Sequence, residues 1–526
     1  MTTSGAGEGP VTIVSGSTAV TSGTAVQEKL ITAARVFADI LRPTYGPRGL
    51  DKMLYKSNGE TAVTNDGAKI VAELMVKHPA AKMFVSMGEA HENAIGDGVT
   101  GALLLCGEML IEAGRLLEKG LHPLTTIAGY RMAADIAIDT VESLADPLAV
   151  DDIERVARTA LTGKSAEGEA ALLSHLVVEA LRAVMREEDG ELRCEAEDVA
   201  MHKLGKSALS DSHVTHGVVM RRRILLDALP RRIDDAVVAV LNCNIAPREQ
   251  IRTAEVEIEN VDQLDAFIAS EEARRDALAE TLLASGANVF LTSGEVDKGV
   301  LHRLMRAGCF AAGELGDHEI RNVAACTGAR VVELAMDLGP EDVGQAGALD
   351  CERNAPTDQV EDIIRLIDCP NPKVVTIEVG GANDLATEEI IRALHDALRV
   401  TSLAMRGGEV LVGGGAALMS ASLAVRHAAE KEAGRERLAM EAFGRALEVI
   451  PATLADNAGV DALDRILELR AAHRNGDITA GIRADGSVGP TDALEPLASL
   501  ALALDASCET CSSMLRIDQV VSARGD

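Results

Sequence analysis

With 526 residues the chain is longer than one compact core ordinarily holds, which predicts two to four domains. Hydrophobic residues make up 47% of it and charged residues 25%, a globular composition that excludes a wholly disordered or collagen-like protein. A net charge of −31 repels phosphate backbones and anionic membranes, and six Phe, three Tyr and no Trp are too few for a platform that stacks single-stranded bases, so no nucleic acid and no membrane is expected as a partner.

The first 24 residues are rich in Gly, Ser and Thr and lack the basic and apolar regions of an export signal. No apolar run approaches bilayer length; the longest candidate, near Leu497, is closed by Asp505. A cytoplasmic protein is expected. Apolar positions at Leu30, Ile31, Ala34, Phe37, Ala38 and Leu41 have helical spacing, and Pro43 ends that helix. Further helices are predicted over 98–119 and 124–144. The middle of the chain changes character: 237–241, 287–291, 329–334 and 374–379 read as short buried strands between helical segments, an α/β insert within helical flanks. A strand over 409–412 leads into Gly413, Gly414 and Gly415, and helices resume over 438–450, 461–473 and 496–515. Nine cysteines, an odd number scattered through the chain, argue against a disulfide framework. The tight pair Cys508 and Cys511 reads as small buried residues rather than a metal or redox site, because no second pair completes four ligands. His213 and His216 likewise lack a third ligand.

Three N-terminal segments set Gly beside hydroxyl or acidic residues where a loop enters a helix: Thr44-Tyr-Gly-Pro-Arg-Gly-Leu-Asp-Lys-Met-Leu54, Thr64-Asn-Asp-Gly-Ala68 and Gly96-Asp-Gly-Val-Thr-Gly101. Glycine lets backbone approach a phosphate, and the free N–H groups of a helix start favour an anion. Asp97 is placed to hold a divalent cation that bridges phosphate oxygens, and Asp66 to orient or deprotonate water. Each segment alone is also an ordinary turn. No Gly-x-x-x-x-Gly-Lys-Ser/Thr loop is present, so an ordinary P-loop ATPase is not indicated.

Taken in order, these segments together with 78–83, 260–267, 337–344, 394–398, 413–416, 450–459 and 515–518 resemble the group II chaperonins, the thermosome and CCT family of ATP-driven protein-folding machines. The acidic composition, with 13 Lys, is similar to that of haloarchaeal members, whose salt-rich cytoplasm screens such charge. The resemblance implies a multidomain α and α/β fold: a helical equatorial ATP-binding domain from 1–147 and 403–526, a small intermediate hinge domain from 148–213 and 368–402, and an α/β apical substrate-binding domain from 214–367. A helical protrusion near 260–284 is implied as a built-in lid, with Leu264, Phe267 and Ile268 closing it or touching clients. A solvated helix with Glu271 and Glu272 paired to Arg274 and Arg275 is the plainer reading of that stretch, and the two are compatible.

The same resemblance implies nucleotide contacts from Thr44, Tyr45, Gly46, Pro47, Gly98, Val99, Thr100 and Gly101, a magnesium ligand in Asp97, and a hydrolytic carboxylate in Asp66. Lys164 falls where the family senses the nucleotide's phosphate, though a lone lysine is also read as a solvated surface cation. Gly414 and Gly415 match a second nucleotide-facing turn, and Asn457, Gly459 and Glu495 the base and ribose side. ATP, Mg2+ and K+ are the implied cofactors. Unfolded polypeptides and copies or paralogues of the chain in a double ring are the implied partners, and closely stacked acidic subunits make assembly depend on salt.

Departures accompany the matches. Val99 and Gly101 replace two hydroxyl residues, and Leu418 and Leu500 replace a Glu and a Lys. Counting from Leu394 places Leu403 where the family carries a catalytic Asp. Two readings therefore stay open: an ATPase that turns over, and a nucleotide-binding but hydrolysis-deficient structural subunit of a mixed ring. Outside the family, the alternative is a metabolic enzyme with an unrelated phosphate site.

Overall fold

The computed structural model describes residues 19–55, 61–73, 79–164, 167–188, 190–204, 207–247, 261–352, 362–370, 373–381 and 383–522. The stretch before residue 19, His78, Asn260 and residues 523–526 lie outside the described residues. The chain divides into two compact units, residues 1–174 with 392–526 and residues 175–391. The division falls inside the helices Ala170–Val184 and Asp384–Gly407. Of the segments expected to form a hinge domain, 148–174 and 392–402 belong to the first unit, and 175–213 and 368–391 to the second.

The first unit is mainly helical. Helix Thr24–Leu41 buries Val26, Leu30, Ala34, Phe37, Ala38 and Leu41 on one face and stops before Pro43, which cannot extend it. Helix Val99–Glu118 is apolar nearly all round, so it is buried from Val99 to Leu116 and forms the axis of the core. Thr24–Leu41, Pro79–Ile95, Glu436–Ala446 and Leu497–Leu515 pack around it. Its one buried charge, Glu112, is paired with Arg115 and, at 2.7 Å, with Arg445. Four of the nine aromatic residues lock this core: Phe37 stacks on Phe84 at 5.3 Å, and Tyr130 meets Phe443 edge-on at 5.4 Å while donating to the Met109 carbonyl. Cys106, Cys508 and Cys511 lie in the same core, where burial pushes their thiols up, so they serve there as small apolar residues. The two ends of the described chain also meet, since Ala19–Ser22 pairs antiparallel with Gln519–Ser522.

The second unit is the α/β insert. Its main sheet runs Phe310–Ala312, Val289–Thr292, Arg232–Leu241, Gly344–Glu352, Ile363–Ile367 and Gly217–Arg221, with Val331–Val332 also on Arg232–Leu241. Phe310–Ala312, Val289–Thr292 and the C-terminal half of Arg232–Leu241 pair in parallel and are largely buried, hence their apolar runs. The expected strand over 329–334 shortens to Val331–Val332, and Gly344–Glu352 and Ile363–Ile367 were not anticipated. A second sheet orders Val199–Lys203, Val375–Val379 and His213–Thr215. Helix Val261–Ala284 seats Leu278, Ala279 and Leu282 in this unit's core and exposes Leu264, Phe267 and Ile268. Its Glu271–Arg274 and Glu272–Arg275 pairs form at i,i+3 as the charge pattern expects.

The predicted helix over 438–450 is two, Glu436–Ala446 and Val449–Asn457. Pro451 explains the break: its nitrogen cannot donate to the carbonyl of Leu447, so it is tolerated only in the first turn of a new helix.

Gly129, on Pro123–Ser143, lies under Glu436–Ala446; a Cβ there would stand 2.6 Å from Ala439 Cβ and 2.6 Å from the Glu436 carbonyl oxygen. Backbone cannot yield as a flexible side chain does. Gly129→Ala is expected to cost about 1–3 kcal/mol in denaturant unfolding; an unchanged midpoint would contradict this close helix crossing.

Candidate functional site

A cavity of about 570 Å³ opens in the first unit and takes its walls from both of that unit's chain segments. Two helices begin at its edge. Val99–Glu118 is preceded by Gly98 at φ 80° and Ala416–Lys431 by Gly415 at φ 79°, left-handed conformations that suit glycine. Neither helix start has a side-chain cap, so first-turn N–H groups at both remain available to an anion. The strand Glu409–Val412 pairs with Leu494–Pro496, placing Leu411 opposite Glu495 and bringing Gly413 and Glu495 to one wall.

The loop after Thr24–Leu41 supplies Thr44, Tyr45, Gly46 and Pro47 to the lining. Thr44 Oγ1 donates to the Leu41 carbonyl at 2.7 Å, and the Asn457 side-chain amide donates to the carbonyls of Arg42 at 2.8 Å and Tyr45 at 2.7 Å. Asn457 thus shapes the loop from behind; neither it nor Gly459 lines the cavity, in contrast to the expectation that they face a ligand. The next turn is held by Asp66, whose Oδ1 accepts from Ala68 N at 2.9 Å, and by Asn65, which donates to the Gly163 carbonyl at 2.6 Å.

Carboxylates dominate the electrostatics. Asp66, Glu92, Asp97, Asp396, Asp492 and Glu495 line the cavity together with Arg155, Arg158 and Arg483, and Lys164 is the one lysine there among the described residues. Lys164 Nζ sits 2.6 Å from Asp396 Oδ2 and 3.7 Å from Asp97 Oδ1. Burial pulls the ammonium pKa down, but Asp97 and Asp396 outweigh it and hold it well above the usual lysine range. Burial raises Asp396 to about 7, with Lys164 opposing the rise and Asp97 adding to it. Glu92 is raised to about 7 by burial and by Asp66 and Asp97, and Glu495 to about 7 by burial and Asp97. Tyr45 is pushed up by burial, so it stays a neutral donor.

Of the sequence-derived candidates, Thr44, Tyr45, Gly46, Pro47, Asp66, Asp97, Gly98, Val99, Thr100, Gly101, Lys164, Gly414, Gly415 and Glu495 converge here. Leu403 does not line the cavity, whereas Asp396, on the same helix Asp384–Gly407, does. The two are seven residues apart, two turns along one face, and the missed signal is a carboxylate between apolar neighbours Leu394, Ala397 and Leu398 that are fully buried. Glu92 was also missed: it lies in the last turn of Pro79–Ile95, just ahead of the glycine motif that begins at Gly96 and outside it. Leu418 and Leu500, with Ile450, Leu454 and Ile482, give the cavity an apolar wall. Leu264, Phe267 and Ile268 belong to the other unit.

A divalent cation fits the donor set in part. Asp97 offers a hard oxygen ligand, but among the described residues no three His, Cys, Asp or Glu side chains form a ready cage. That pattern suits an ion such as Mg2+, which takes one or two carboxylates and fills its shell with water and phosphate oxygens.

The model of the TCP-1/cpn60 chaperonin family matches residues 37–525. The chain is 38% identical over 509 residues to a thermosome subunit of Methanopyrus kandleri, covering 95% of this chain and 93% of that protein. It is 36% identical to thermosome subunit alpha and 35% identical to thermosome subunit beta of Archaeoglobus fulgidus, each over 523 residues, 98% of this chain and 95% of the relative. Among the described residues no helix is long and apolar enough to cross a membrane.

The raised carboxylates fix a pH dependence. Folded, Glu92, Asp396 and Glu495 keep their protons to about 7, whereas unfolded they lose them near about 4. The folded state therefore binds more protons in this window, and their contribution to stability, full below it, is lost as pH rises through about 7. The melting temperature of nucleotide-free protein at constant high salt is expected to fall from about pH 5 to about pH 8, and Glu495→Gln to flatten the fall. A profile that rises over this interval, or is unchanged by the substitution, contradicts the assignment.

Proposed function

Because the chain belongs to the TCP-1/cpn60 chaperonin family, in its group II branch, we propose that it is an ATP-hydrolysing subunit of a cytosolic double ring that folds unfolded polypeptides. The observation that carries the ATPase reading is the convergence of two uncapped helix starts and six carboxylates on one cavity. The helix starts receive phosphate through Gly98, Val99, Thr100 and Gly101 on one side and Gly414 and Gly415 on the other. The wall of Leu418, Ile450, Leu454, Ile482 and Leu500 suits the adenine ring, and Glu495 accepts from a ribose hydroxyl.

Asp97 would hold Mg2+, which when bound supplies charge neutralisation to the transferring phosphate. Lys164, 3.7 Å from Asp97 Oδ1, would pair with the phosphate oxygens beside it. Asp396 and Asp66 orient the attacking water, and Asp396 takes its proton as the water oxygen bonds the γ-phosphorus and the bond to ADP breaks. A carboxyl raised to about 7 is matched to that task near neutral pH. K+ adds to the neutralisation of a pocket this rich in carboxylates.

The hydrolysis-deficient reading rested on Leu403. With Leu403 off the cavity and Asp396 on it, the turning-over ATPase is favoured. Two surface features support assembly and client handling. The hairpin of Lys52–Tyr55 and Thr61–Thr64 projects Met53 and Tyr55, 73% and 79% exposed, next to Leu50, a set of apolar side chains that a neighbouring subunit would cover. Leu264, Phe267 and Ile268 stand exposed on the helix read as the lid. Stacking many copies of −31 requires screening, which fits a salt-rich cytoplasm and the halophilic reading.

Steady-state ATPase of purified rings in high salt with Mg2+ and K+ tests the assignment. Asp396→Asn is expected to lower turnover by about 10²- to 10⁴-fold, and Leu403→Asp to bring no gain. Wild-type turnover in the Asp396→Asn variant, with a gain from Leu403→Asp, would restore the structural-subunit reading.

A further inference from the structure

Lys164 is delivered to the carboxylates by a constrained turn. Gly163 has φ 77°, its carbonyl accepts from Asn65, and a Cβ on it would stand 3.1 Å from the Gly46 carbonyl carbon and 3.2 Å from Pro47 Cα. The turn is therefore pressed against the loop that forms the cavity's other wall. From it the ammonium reaches between Asp396 and Asp97, with Asp66 also facing it, and its side chain is 18% exposed. The position is the one a divalent ion needs, next to Asp97 and within a field set by three carboxylates. A tethered ammonium there satisfies that field without any added ion, and any cation that binds Asp97 must displace it or share its charge.

We propose that Lys164 is a built-in counter-ion that makes the site select a metal–nucleotide complex over the free metal. In the empty pocket its ammonium offsets the charge of Asp97 while holding Asp396 at 2.6 Å, so a free divalent cation gains little by entering. An incoming triphosphate changes the balance: its oxygens attract Lys164 away from Asp97, and the freed carboxylate then takes the metal that arrives with the phosphates. Loading metal and nucleotide together keeps the pocket from filling with cations in a salt-rich medium. The inference rests on the reading of this cavity as an ATP site, and it makes Lys164 a specificity-determining residue for that site.

The test measures Mn2+ binding to assembled, nucleotide-free rings by electron paramagnetic resonance. Lys164→Met is expected to tighten Mn2+ binding by about ten- to a hundredfold, within the usual span of coupling between two binding events. Lys164→Arg, which retains a cation, is expected to bind as weakly as wild type, and adding Asp97→Asn to Lys164→Met is expected to abolish the gain. Lys164→Gln replaces Lys164→Met if the latter fails to assemble. The proposal is overturned if the neutral variants bind Mn2+ like wild type, if Lys164→Arg tightens binding as they do, or if the gain survives Asp97→Asn. Binding of a fluorescent ATP analogue with Mn2+ to the same wild-type rings reads the ATP assignment separately: its absence overturns that assignment and leaves the metal titration standing on its own.

Discussion

The site is organised by a charge that has to be compensated in a low-dielectric place. Asp66, Asp97 and Asp396 act on one ammonium, and burial raises Asp396, Glu92 and Glu495 instead of leaving them ionised at their ordinary values. Those carboxylates that stay ionised need a positive charge held against them. Lys164 supplies one beside Asp97 and Asp396, and under the proposed ATP reading a metal with its phosphates would take its place. The two uncapped helix starts supply the complementary half, since they favour the negative charge the carboxylates repel. A pocket with these opposed halves accepts an anion best when it arrives with a cation.

Placing those halves together requires both segments of the first unit. Residues 1–174 bring Gly98 and its helix, residues 392–526 bring Gly415 and Glu495, and the strand pair Glu409–Val412 with Leu494–Pro496 sets the second wall. The axis helix Val99–Glu118 has one end in the cavity and its length in the core, so packing by Glu436–Ala446 and Leu497–Leu515 fixes the direction of its free N–H groups. Asn457 extends the same logic: its amide spans two carbonyls of the 42–45 loop and so ties the C-terminal segment to the N-terminal loop that lines the cavity.

Each glycine loop alone reads as an ordinary turn, and the loops were legible only as an ordered set; Gly46, Asp66, Asp97, Gly98 and Gly415 all line one cavity. The helical flanks and the α/β insert were legible from periodicity. What escaped lay where periodicity is silent. Asp396 and Glu92 sit within long helices, where a carboxylate facing a cavity has the same spacing as one facing water; counting from Leu394 leads to Leu403, which does not line the cavity. Asn457 gives its amide to two backbone carbonyls behind the cavity rather than to its lining, a choice its residue type leaves open in the sequence. The helix break before Val449 was readable from Pro451, and Gly344–Glu352 was missed because its small residues, Gly344, Ala346, Gly347 and Ala348, weaken a strand's apolar signal.

Electron microscopy of the protein with Mg2+ and a non-hydrolysable ATP analogue in high salt tests the central claim most directly. The account predicts a double ring in which phosphates lie against residues 98–101 and 413–415, Asp97 contacts the metal, Lys164 has left Asp97, and Asp396 faces the terminal phosphate. An analogue bound elsewhere, or bound with Asp396 turned away and Leu403 beside the phosphate, would contradict it.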